Sequence, residues 1–148
     1  MLYFAYGSNM NSKRMLDRGV KFLKKEIGFL YDYKFIINKK SYKNPNIGYA
    51  NIIKKKNSIV EGILYTINEY DIKKLDKYEG YPKHYDKKIL DIISNNNIVK
   101  SITYIANKNW ITNKQLKTTK DYKNHILEGK DILSKEYLKK LNESIKII

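Results

Sequence analysis

The sequence predicts an α+β domain built around one mixed, strongly curved sheet. Three observations predict it. Strand-like apolar runs and helical stripes follow one another in the order β-α-β-β-β-α-β-β-α-α, which lacks the regular βαβ alternation of a doubly wound sheet. The run Ile59 to Tyr65 is apolar on both faces apart from Glu61, as in a central strand or one belonging to a closed sheet. The 148 residues, 42% apolar and 30% charged, suit one globular domain with its own core, and no linker or repeat divides residues 1–148.

Each element has its own signal. Leu2 to Tyr6 is short, apolar and aromatic and stops at Gly7, which predicts a buried strand. Asn11 to Gly19 predicts a short helix, with Asn11 or Ser12 as its cap, Met15 and Arg18 on one side, and Gly19 at its end. Ile27 to Asn38, rich in Phe, Tyr and Ile, predicts a strand, and the polar Ser41 to Asn46 around Pro45 a loop. Tyr49 to Ile53 and Ile59 to Ile67 read as two separate strands. Asn68 can cap a helix from Glu69 to about Tyr78, whose Ile72, Leu75 and Tyr78 recur at helical spacing. Gly80 supplies a left-handed C-terminal residue, and Pro82 follows where no helix continues. Tyr85 to Ile93 and Ile98 to Ala106 predict a hairpin turning at Asn95-Asn96-Asn97. Thr118 or Thr119 can cap a helix carrying Tyr122, Ile126 and Gly129 on one face. A last helix from Ser134 to about Glu143 shows a stripe of Leu133, Tyr137, Leu138 and Leu141.

Composition removes several function classes. There is no cysteine, which excludes disulfides, thiolate catalysis and cysteine-bound metal, and fits a reducing cytoplasm. His84 and His125 are the only histidines, and are expected to be structural or exposed, so no metal site is expected. No apolar run approaches the ~18 residues of a membrane span, and the first residues carry no leader pattern. The expectation is therefore a cytoplasmic protein with no membrane partner. The net charge of +15 invites a nucleic-acid reading. Against it, Arg14 and Arg18 are the only arginines, and phosphate and base recognition favours arginine. The lysines also spread along the whole chain, and the Asn, Ile, Lys and Tyr excess matches an A/T-rich coding bias. Lys39-Lys40 and Lys54-Lys55-Lys56 are read as solvated strand ends. The sequence sets no oligomeric state.

Two segments can carry chemistry. Tyr6-Gly7-Ser8-Asn9 joins the first strand to the first helix; its glycine and asparagine tolerate unusual backbone angles, so several N–H groups can converge there on a carboxylate, carbonyl or phosphate. An ordinary tight turn reads the same way, while the absence of a following Gly-Lys-Ser/Thr excludes a Walker phosphate loop. In Leu75-Asp76-Lys77-Tyr78-Glu79-Gly80, Glu79 ends its helix, where the macrodipole disfavours negative charge. One turn back stand Leu75 and Asp76, and no lysine occupies a pairing position. Each factor pushes the carboxyl pKa up, toward an acid/base range. A solvated surface glutamate is the competing reading. Tyr85 and Tyr122 could add hydroxyls to a pocket or simply pack. Trp110 could cap the core or line a cleft.

Four segments together resemble the γ-glutamylcyclotransferase-like superfamily, including its AIG2-like members. Phe4-Ala5-Tyr6-Gly7-Ser8-Asn9-Met10 resembles its substrate-binding YGSN loop, and Val60-Glu61-Gly62-Ile63-Leu64-Tyr65 its V-x-G-x-L-Y strand. Leu75-Asp76-Lys77-Tyr78-Glu79-Gly80 resembles its L-D-x-x-E-G segment, and Tyr122-Lys123-Asn124-His125-Ile126-Leu127-Glu128-Gly129 its Y-x-x-x-I-x-x-G helix. The chain departs from the pattern at Thr118-Thr119, where the family often has proline. It reads YGSN rather than the YGSL of the glutathione-specific ChaC branch. The resemblance implies a small mixed β-barrel flanked by helices. It also implies an enzyme that cyclises a γ-glutamyl amine or γ-glutamyl amino acid to 5-oxoproline and frees the amine. In that reading Glu79 is the catalytic acid/base, Tyr6, Gly7, Ser8, Asn9, Tyr85 and Tyr122 bind substrate, and no cofactor or metal takes part. The far wall of the pocket is expected from Ser41 to Asn46 and Asn107 to Lys117. A non-catalytic binding or regulatory module of the same fold is the alternative.

Overall fold

The computed structural model describes all residues, 1–148. Its strands are β1 (Leu2–Ala5), β2 (Phe22–Lys40), β3 (Gly48–Ile67), β4 (Tyr85–Ser94) and β5 (Asn97–Ala106); its helices are α1 (Ser12–Asp17), α2 (Ile72–Glu79), α3 (Lys120–Leu127) and α4 (Lys135–Ser144). The strands close into a barrel in the order β1-β3-β2-β4-β5. All neighbours run antiparallel except β1 and β5, which meet in parallel at Tyr3 and Ile102 and close the ring. The sheet is therefore mixed and curved, as the element order predicts.

Closure depends on two glycines. Gly28 of β2 pairs with Gly62 of β3, and the Phe4 ring of β1 lies across both. A Cβ on Gly62 would stand 2.5 Å from the Ala5 carbonyl oxygen and 2.7 Å from Phe4, so only glycine lets β1 cross there. Phe4, Val60, Ile63, Tyr65 and Ile92 fill the core without measurable exposure. Val60 to Tyr65 is buried on both faces apart from the half-buried Glu61, in line with its apolar sequence. Glu61 takes both the amide (2.9 Å) and the hydroxyl (2.8 Å) of Ser134, the residue that caps α4.

The two strands expected at 49–53 and 59–67 are one strand of 20 residues, β3, and β2 likewise reaches beyond the expected 27–38. The polar stretch Lys54 to Ser58 stays in the strand because the β2–β3 ribbon runs out past the core. Its register shifts between Tyr31 and Tyr33; Asp32 and Asn57 adopt positive φ (64° and 66°), and the Asn57 amide donates to Asp32 Oδ1 at 3.0 Å. Lys54-Lys55-Lys56 is solvated as expected, but in mid-strand. The helix expected from Glu69 begins as a 3-10 turn, Glu69–Asp71, which Asn68 caps, and α2 itself starts only at Ile72; other local signals correspond to structure. Asn11, Thr119 and Ser134 cap α1, α3 and α4. Gly80 ends α2 at φ 64°, and Asn95-Asn96 turn the β4–β5 hairpin with both φ positive. No helix is long and apolar enough to cross a membrane.

Candidate active site

One end of the barrel carries a recess with a wider cleft in front of it. The recess, about 40 Å³, is lined by Tyr3, Tyr6, Gly7, Ser8, Asn9, Ala50, Glu79, Tyr85, Tyr104 and Tyr122. The structure thus gathers Glu79, Tyr6, Gly7, Ser8, Asn9, Tyr85 and Tyr122 around one cavity. The cleft, about 540 Å³, shares Ser8, Glu79, Tyr85 and Tyr122 with the recess and adds Arg14, Arg18, Lys39, Tyr42 and Lys43. A second open groove of about 670 Å³, between the β2–β3 ribbon and α4, contains none of these residues.

Glu79 is positioned by the end of α2. Gly80 in the left-handed conformation turns the chain there, and a Cβ on it would meet His84 at 2.7 Å. The Glu79 residue keeps some exposure, but its carboxyl is set among the tyrosines of the recess. Asn9 Nδ2 donates to Glu79 Oε1 at 3.2 Å and to the Tyr3 hydroxyl at 2.9 Å. Asn9 Oδ1 accepts from Arg18 Nη1 at 3.0 Å, and its backbone oxygen from the Tyr65 hydroxyl at 2.7 Å. Asn9, only 2% exposed, is therefore fixed at every polar atom of its side chain.

Burial pushes the Glu79 carboxyl above the ordinary carboxylate range, against the pull of Arg18, Arg14, Lys39 and the Asn9 hydrogen bond. The direction matches the sequence reading, but the dominant cause is desolvation rather than Asp76. That residue turns away to Lys87 Nζ (2.9 Å) and the Tyr104 hydroxyl (2.6 Å). Burial also raises Tyr6, Tyr85 and Tyr122, so these phenols stay protonated at neutral pH. Their protons are differently committed. Tyr6 donates to the Tyr104 carbonyl and Tyr85 to the Ala50 carbonyl at 2.7 Å. Tyr122 instead accepts from the Ala50 amide at 3.0 Å, which leaves its own hydroxyl hydrogen to point elsewhere.

The turn after β1 is a 3-10 turn, Ser8–Met10. None of the turn and loop hydrogen bonds is donated by the amides of Gly7, Ser8 or Asn9, and no side chain accepts from them. A Cβ on Gly7 would come within 3.0 Å of the Ala50 Cβ, so glycine lets this turn lie close against β3. The first helix does not start at this turn: α1 begins only at Ser12, and Asn11 caps it by accepting from Lys13 and Arg14. The positive field comes from side chains instead.

Sequence reading missed those side chains. Lys39, expected as a solvated strand end, is 3% exposed. The register shift between Ile37 and Lys39 brings it against Trp110, 4.8 Å from the ring centre. Its Nζ meets Lys40 O at 2.9 Å and His84 Nδ1 at 2.8 Å, and burial lowers its pKa to about 8. His84 lines the cleft and packs at a tilt of 36° against Trp110, ring centres 4.4 Å apart, so Trp110 supports the cleft from behind. The only two arginines, Arg14 and Arg18, both line the cleft. Their rarity among 30 basic residues was the available signal. Of the expected far wall, Ser41, Tyr42 and Lys43 take part. His125 pairs with Asn11 (2.9 Å) outside the recess, and no group of His, Asp and Glu is arranged to hold a metal ion.

A family model described as gamma-glutamyl cyclotransferase, AIG2-like, matches residues 3–124, a stretch that includes the Tyr6–Asn9 turn and Glu79. No curated protein matches the sequence significantly. Among solved structures, the human uncharacterized protein loc79017 is similar at 25% identity and TM-score 0.81, over 99% of this chain and 88% of that one. A gamma-glutamyl cyclotransferase has the same fold at 24% identity and TM-score 0.82, over 100% and 89% of the two chains. YkqA of Bacillus subtilis also shares it, at 24% identity and TM-score 0.86, over 100% of this chain but 56% of that one.

Proposed function

The chain belongs to the AIG2-like gamma-glutamyl cyclotransferase family, and from that premise we propose that it converts a γ-glutamyl amine or γ-glutamyl amino acid to 5-oxoproline and the free amine, with Glu79 as the proton shuttle. The observation that carries this reading is the Glu79 carboxyl, held by Asn9 at the recess beside the Gly7–Asn9 turn, with its pKa raised by burial.

The substrate supplies its own nucleophile, the α-amino group, which is an ammonium at neutral pH. Glu79 as carboxylate takes one proton from it. The freed amine attacks the δ-carbonyl carbon, forming the ring C–N bond and placing negative charge on the carbonyl oxygen. As that charge returns, the bond to the departing nitrogen breaks and Glu79 delivers its proton there; Glu79, again a carboxylate, then takes the second proton of the ring nitrogen and passes it to the freed amine, which leaves as ammonium. The protein ends in its starting state, so no co-reactant is needed. Ring closure is intramolecular, and a substrate held folded recovers much of its barrier. The amides of Gly7, Ser8 and Asn9 and the Tyr122 hydroxyl are the donors suited to hold the glutamyl end and oppose oxyanion charge. Tyr6 and Tyr85, whose protons are committed to backbone carbonyls, shape the wall.

The test is incubation with a panel of γ-glutamyl amines and amino acids, followed by mass spectrometry for 5-oxoproline. Its formation from at least one compound, in step with release of the amine, is the expected result. Binding of the panel without any turnover overturns the reading in favour of a binding module.

A further inference from the structure

We propose that Lys39 selects the departing amine by holding a carboxylate carried on it, so that γ-glutamyl amino acids, above all those with an acidic side chain, are preferred over γ-glutamyl derivatives of neutral or cationic amines. The inference rests on the cyclotransferase reading of the same site.

Lys39 is the only charged residue of the chain that is fully buried. It nevertheless enters no ion pair. Glu79 of the same cleft offsets part of the cost of this buried cation without closing an ion pair on it, and an anion brought by a ligand offsets more. Two of the three ammonium hydrogens are engaged by Lys40 O and His84 Nδ1, which leaves one free. The Trp110 face fixes the ammonium from another side.

Lys39 lines the outer cleft and is absent from the recess, so it faces whatever is attached to the glutamyl end rather than the glutamyl end itself. Arg14, Arg18, Lys43 and Lys77 share that cleft, and Glu79 is its only acid. The γ-glutamyl end brings an ammonium and a carboxylate, with no net charge, so the excess of cations remains for the departing part to answer. Arg18 is already committed to Asn9 and stacked on Tyr78 at 4.7 Å, and Lys43 and Lys77 are exposed to water and salt. Arg14 is half-buried, with burial lowering its pKa and its Nε unpartnered, so Lys39 and Arg14 are the two desolvated donors of the five, and Lys39 is the more deeply buried residue.

The experiment compares kcat/KM for four γ-glutamyl compounds whose departing amines are glutamate, alanine, ethylamine and a diamine. The expected order is the order given, with alanine above ethylamine by about tenfold or more, the scale of a hydrogen bond to a charged group. Lys39→Met should bring that ratio toward one. A flat series in the wild type, or a Lys39→Met variant that slows all four compounds alike, overturns the proposal. Repeating the wild-type series at about 0.05 and 0.5 M salt adds a measurement that needs no variant: a preference that vanishes at high salt assigns it to the exposed lysines instead. Calorimetric binding of the four compounds to Glu79→Gln reads the same order without turnover. An intact binding order with no 5-oxoproline from any compound supports the selection by Lys39 and contradicts the cyclotransferase reading; turnover with a flat order contradicts the selection alone.

Discussion

Asn9→Asp is the sharpest perturbation of the Glu79 carboxyl available. The substitution keeps shape but replaces the Nδ2 donor, 3.2 Å from Glu79 Oε1, with a carboxylate oxygen. Two like charges about 3.2 Å apart at an effective dielectric of about 20 repel by roughly 5 kcal/mol, a cost shared between the pair as they titrate. Arg18, 3.0 Å from the other Asn9 side-chain atom, cancels part of this, and the remainder raises the Glu79 carboxyl further. Asn9→Ala removes only a donor that favours the charged form, so its rise should be the smaller of the two. Catalysis needs Glu79 as carboxylate, so the acid limb of the kcat/KM profile moves to higher pH in the order wild type, Asn9→Ala, Asn9→Asp. A carbon-detected NMR titration of the Glu79 carboxyl gives the same series without turnover. An unmoved limb and an unmoved carboxyl titration in Asn9→Asp would refute the reasoning.

Three further outcomes are expected. Gly62→Ala, with its Cβ 2.5 Å from a backbone oxygen that cannot yield cheaply, should cost about 1–3 kcal/mol in urea unfolding, and a neutral result would contradict the β1 crossing described. Asn96→Gly, at a positive-φ position of the hairpin turn, should raise stability by about 0.5 kcal/mol. The folded pKa of Lys39 is lowered to about 8, below its unfolded value, so its contribution to stability is full at high pH and lost as pH falls through about 8. Lys39→Met should therefore gain most over wild type at pH 7, with the gap closing as pH rises above 8; a gap independent of pH would exclude this account.

The sequence was most legible where local physics decides. The caps Asn11 and Thr119, the left-handed Gly80 and the Asn95-Asn96 turn depend on a few neighbouring residues, and the structure uses each as expected. The β2–β3 ribbon was misread because pairing partners, not hydrophobicity, carry Lys54 to Ser58 through the strand. At the site, Glu79 and the Tyr6–Asn9 turn stood out through the family motifs, and the raised carboxyl was foreseen from the helix end. Lys39 was not, because a lysine beside another lysine at a strand end looks solvated. Only the register shift at Ile37 and the arrival of Trp110 and His84 from distant parts of the chain bury it. The cause of the Glu79 shift was misassigned for a similar reason, since desolvation by Tyr3, Tyr6, Tyr85 and Tyr122 is a tertiary effect.

The central claim is that Glu79 moves the proton. Glu79→Gln keeps the side-chain shape and an acceptor for Asn9 but has no group able to shuttle a proton at neutral pH. The direct measurement is single-turnover 5-oxoproline formation by wild type and Glu79→Gln, alongside calorimetric binding of the same substrate. The account predicts a rate loss on the order of 100-fold or more with binding retained. Undiminished 5-oxoproline formation by Glu79→Gln would contradict it.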